Sequence, residues 1–95
     1  MKTEMLRVVS QGNVSYIPSS KEANGQLAKC EIRLKMLGGG KYGDEFVATL
    51  FGNSALAKFY EGEVVAATLR FQVHEANGNC YQDVTATDIV KISKQ

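Results

Sequence analysis

Four cations fall within thirteen residues, Lys29, Arg33, Lys35 and Lys41, against the single carboxylate of Glu31. Cations at such spacing can follow a line of phosphates, whereas the whole chain carries a net charge of only +1, so any such attraction must be local. Binding a single strand also requires flat side chains for stacking. Tyr42 follows Lys41 in Gly38-Gly39-Gly40-Lys41-Tyr42-Gly43-Asp44. A Lys-Tyr finger on that loop would clamp a strand; the competing reading folds Tyr42 back onto its own domain or onto a neighbouring subunit. Arg70, Gln72 and His74 alternate along one later segment, and Tyr81 lies across an Asn77-Gly78 turn from them. Phe46 is a further stacking candidate, with core burial as its alternative. For the basic face, the alternative is a solvated surface kept soluble by charge.

Other chemistry finds no support. Gly40-Lys41 lacks the P-loop pattern, because Tyr42 stands where Ser or Thr would hold magnesium and Lys35 where the first glycine belongs. His74, the only histidine, has no Ser or Cys partner in a recognisable motif. Cys30 and Cys80 form no CxxC pair, so a zinc site with four ligands is not expected. Asp83 and Asp88 would face opposite sides of a strand. A non-catalytic protein without cofactor, metal or small-molecule substrate is expected. No run of apolar residues is long enough for a membrane span, and no signal stretch follows Met1. A cytoplasmic protein with free thiols follows as the expectation.

The elements that must position these residues are mostly strands. A length of 95 residues suits one domain. Residues 4–17 read as a long strand bent at Gly12, and 18–26 as a polar loop. In 28–37, Cys30, Ile32, Leu34 and Met36 point one way, and Glu31, Arg33 and Lys35 the other. After the glycine-rich loop, strand 45–51 is apolar on both faces. Residues 52–62 are the one predicted helix, capped by Asn53 or Ser54, with Leu56, Phe59 and Tyr60 on a shared face. Strand 64–74 places Val65, Ala67, Leu69, Phe71 and Val73 inward; strand 80–92 does so with Val84, Ala86 and Val90. Phe51, Phe59 and Phe71 are assigned to the core. The order β-β-β-α-β-β predicts an all-β OB-fold: one five-stranded Greek-key barrel over 1–95, with a short helix between strands 3 and 4.

The block from Glu45 through Phe51-Gly52 and Tyr60-Glu61-Gly62 to Val65 resembles the centre of bacterial-type single-stranded DNA-binding proteins. In that family an apolar strand ends in Phe-Gly, a short helix ends near Tyr-x-x-Gly, and a Val-rich strand follows. Tyr16-Ile17-Pro18-Ser19-Ser20 is similar to the turn after the family's first strand, and Asn77-Gly78-Asn79-Cys80-Tyr81-Gln82-Asp83-Val84 to its last hairpin. The resemblance covers nearly the whole chain. It implies binding of single-stranded DNA, or RNA, with little sequence preference, a role in DNA replication, and assembly into dimers or tetramers. The sequence lacks tryptophan and ends at Ser93-Lys94-Gln95, so a short tailless relative stacking bases on tyrosines is expected. Lys29, Arg33, Lys35, Lys41 and Arg70 would meet phosphates, with Tyr42, Phe46, His74 and Tyr81 beside them. The alternative is an OB-fold assembly subunit with no nucleic-acid role, its basic strand face covered by a partner chain.

Overall fold

In a computed structural model, residues 2–37 and 44–93 are described; Lys41 and Tyr42 lie outside them. The elements are β1 (Lys2–Gln11), β2 (Ser15–Pro18), β3 (Gln26–Met36), β4 (Glu45–Phe51), α1 (Asn53–Leu56), β5 (Val64–Ala76) and β6 (Asn79–Ser93). The sheet order is β1-β5-β6-β4-β3-β2, and a further β1–β3 pairing closes it. Closure works because β1 serves two neighbours. Its first half pairs β5 from Lys2↔Leu69 to Arg7↔Val64, and its second half pairs β3 from Leu6↔Met36 to Gln11↔Ile32. This is the expected OB barrel, its first strand divided into β1 and β2. The division falls at Gly12, whose N–H donates to Glu31 O at 2.7 Å. A Cβ at Gly12 would lie 3.3 Å from that oxygen, so the close approach favours glycine.

The barrel interior is filled by alternating positions of every long strand. Leu6 and Val8, Ile32 and Leu34, Ala48 and Leu50, and Val65, Ala67 and Leu69 are almost completely buried. Cys30 is buried and Cys80 exposed, both free thiols. Glu63 is buried too: it accepts the Tyr60 N–H at 2.7 Å and meets Lys91 Nζ at 3.3 Å. That ammonium also sits 5.6 Å from the Phe59 ring centroid and 5.4 Å from that of Tyr60.

The predicted helix shrinks to the single turn of α1. Gly52 caps it without a side-chain hydrogen bond, and Ala57 is already extended at φ −72°, ψ 149°. Gln11 explains the early end. Its side-chain amide donates to Ala57 O at 2.8 Å and accepts from the Phe59 N–H at 2.8 Å, claiming groups that a continuing helix would use. Phe59 is therefore buried, whereas Leu56 and Tyr60 are exposed rather than sharing a packed face with it.

Four further assignments change. Phe71 and Val73 keep the inward parity of β5 but are 52% and 70% exposed, because β5 and β6 run beyond the barrel as a projecting hairpin. Phe51 stands on the outer side of β4 at 37% exposure. Val90 also faces outward. Between the Thr68↔Thr87 and Ala66↔Val90 pairs β6 carries an irregularity, with Asp88 at φ 51°, which reverses the strand's parity. Ile89 packs against the core in Val90's place.

Candidate nucleic-acid interface

Four rungs build the outer face of β3 and β4: Lys29↔Phe51, Glu31↔Thr49, Arg33↔Val47 and Lys35↔Glu45. Directly opposed residues share a face, so Phe51 lies beside Lys29, and Val47 beside Arg33. The face continues across the sheet. Thr49 pairs in parallel with Thr85, and Thr85 pairs with Arg70. One row therefore runs Glu31–Thr49–Thr85–Arg70, placing Arg70 on the face that holds the β3 cations. Parity carries the same face onto the hairpin through Gln72↔Asp83 and His74↔Tyr81. Because β4 and β6 are parallel, the stretch of β6 before Thr85 lies toward the Glu45 end of β4, near Lys35. At the tip, Asn77 and Gly78 have φ of 54° and 80°, the pair of left-handed angles that a two-residue hairpin turn demands.

Of the residues expected at the site, Lys29, Arg33, Lys35, Arg70, His74 and Tyr81 thus share one face of the sheet. Tyr81 is 54% exposed, leaving its ring open. Lys29, Lys35 and Arg70 have no carboxylate partner among the described residues. Phe46 is a correction. Opposite the buried Leu34, it turns inward and packs against the core, so it offers no platform on this face. Lys41 and Tyr42, outside the described residues, belong to the segment joining β3 to β4.

Two features of the face went unforeseen. Phe51 and Val47 supply exposed apolar surface among the cations. Their direction is hidden in the sequence because β4 is apolar on both sides; only its pairing with the cleanly alternating β3 fixes it. Carboxylates are the other. Glu45 Oε1 receives Arg33 Nη2 at 2.7 Å and Nε at 2.8 Å, and Asp83 Oδ2 lies 2.8 Å from His74 Nε2. Two of the face's basic side chains are thus already paired within the protein.

No protein-family model and no curated protein matches the chain. Among solved structures, it is similar to the second OB-fold domain of replication protein A from Methanococcus maripaludis, determined in solution by NMR. The superposition covers 98% of this chain and 84% of that one, with a TM-score of 0.64 and 16% identity. At that identity the likeness establishes the fold: this chain is an OB-fold.

Proposed function

We propose that the protein is a non-catalytic, cytoplasmic binder of single-stranded DNA with little sequence preference, related to the bacterial-type single-stranded DNA-binding proteins. The observation carrying this reading is the shared face, which holds Lys29, Arg33, Lys35 and Arg70 together with the exposed rings of Phe51 and Tyr81. OB barrels bind oligonucleotides on this strand surface and on the loops beside it, and a replication-protein domain as structural neighbour supports the same reading. The cations neutralise phosphates, and each stacked base contributes about 1–3 kcal/mol. Two platforms give modest affinity per subunit, so a homo-oligomer placing several subunits on one strand is part of the proposal. Titration of a labelled thirty-nucleotide oligonucleotide tests it. Salt-sensitive binding at micromolar protein is expected, and its absence overturns the reading.

A protein-assembly role is the second reading, favoured by the far side of the barrel. There Met5 pairs Ala66 and Ala66 pairs Val90, a row of apolar residues with Met5 49% and Val90 55% exposed. Sedimentation of the free protein over a range of concentrations, read together with the oligonucleotide titration, separates the two readings. Assembly without oligonucleotide binding supports the second.

A further inference from the structure

Resting on the nucleic-acid reading, we propose that Glu45 and Asp83 are built-in competitors of the phosphate backbone, and that a single strand binds by exchanging its phosphates for these two carboxylates. The geometry at Arg33 is the stronger half of the case. Its Nε and Nη2 form one edge of the guanidinium, and both reach Glu45 Oε1, at 2.8 and 2.7 Å. That edge is the fork an arginine offers to a phosphate in a two-pronged contact. Glu45 therefore fills, from within the chain, the place a phosphate oxygen would take. It is also the direct cross-strand neighbour of Lys35, so its charge offsets a second cation of the face.

The hairpin repeats the arrangement. His74 Nε2 lies 2.8 Å from Asp83 Oδ2, and Asp83 stands directly opposite Gln72 on the same face. Both pairs are open to water, with side-chain exposures of 56% and 35% for Arg33 and Glu45 and 54% and 63% for His74 and Asp83. Exposed pairs of this kind hold each other weakly. An arriving phosphate takes over the donors of the basic side chain, and the displaced carboxylate returns to solvent close to the strand. That carboxylate repels the phosphates and attracts a cation of its own, so affinity falls and part of the counterion release is cancelled.

Glu45→Gln tests the proposal, because glutamine keeps the shape and an acceptor for Arg33 while removing the charge. Oligonucleotide binding tightens by about two- to tenfold at low salt. The slope of log affinity against log salt steepens by up to about 0.7. Asp83→Asn tightens binding by less. Glu61→Gln, exposed near α1 at the other end of the barrel, makes the same change in net charge and leaves affinity close to wild type. If the wild type binds and Glu45→Gln gains no more than Glu61→Gln, overall charge is what matters and the competitor role is overturned. Weaker binding by Glu45→Gln overturns it too, since the carboxylate would then serve to position Arg33. No binding by the wild type or any variant overturns the nucleic-acid reading and takes this role with it.

Discussion

The two halves of β5 carry one alternation and end in opposite surroundings. Val65, Ala67 and Leu69 are sealed at no more than 1% exposure, while Phe71 and Val73, next in the same series, stand 52% and 70% exposed. The first half has β1 on one side and β6 on the other; from Arg70 onward β6 is the one strand paired with it among the described residues. Alternation states which way a side chain points. Whether anything covers it is decided by strands far away in sequence. The largest expected effect breaks the barrel half: Ile32→Ala, at a fully buried position, costs about 2–5 kcal/mol in denaturant unfolding. Phe71→Ala should cost far less, and equal losses would mean that the hairpin is covered.

The same distinction explains what could be read from residues alone. The two faces of β3 were legible because every second residue is charged between Glu31 and Lys35, and so was the Asn77-Gly78 turn. The break at Gly12 was legible as well, although the oxygen of Glu31 that makes it necessary was not. Hidden features depend on partners. Helix length was overridden by Gln11, more than forty residues upstream of the groups it binds. Val90 was reversed by the Asp88 irregularity, which no periodicity announces. At the site, Lys29, Arg33, Lys35 and Arg70 could be placed from alternation, but Phe46 and Phe51 exchanged roles because β4 carries no polar marker between them except Thr49.

That exchange can be tested by two substitutions of one residue type. Phe51→Ala, on the outer face beside Lys29, lowers oligonucleotide affinity by about 1–3 kcal/mol with a smaller change in stability. Phe46→Ala lowers stability and leaves the affinity of the folded fraction unchanged. Affinity measured by fluorescence titration alongside denaturant unfolding reads both quantities on each variant. A binding loss confined to Phe46→Ala would reverse the assignment of the two faces. Next in size is Gln11→Ala, which strips partners from Ala57 O and the Phe59 N–H; about 1–2 kcal/mol of stability is lost in the same unfolding measurement. A smaller loss would mean that water or a relaxed backbone replaces both contacts.

The smallest effect belongs to the hairpin and tests the comparison at its weakest point. Val73→Thr preserves the branched shape while replacing a methyl by a hydroxyl. At a site 70% exposed, the change should stay within about 0.5 kcal/mol. Native-state hydrogen exchange should agree: amides of residues 71–76 exchange through local opening, while those of 64–69 require unfolding of the barrel. A penalty well above 1 kcal/mol, growing with protein concentration, would mean that a second copy buries Val73. The exposed half of β5 would then be an interface, and the difference between its two halves would lie in which chain supplies the cover.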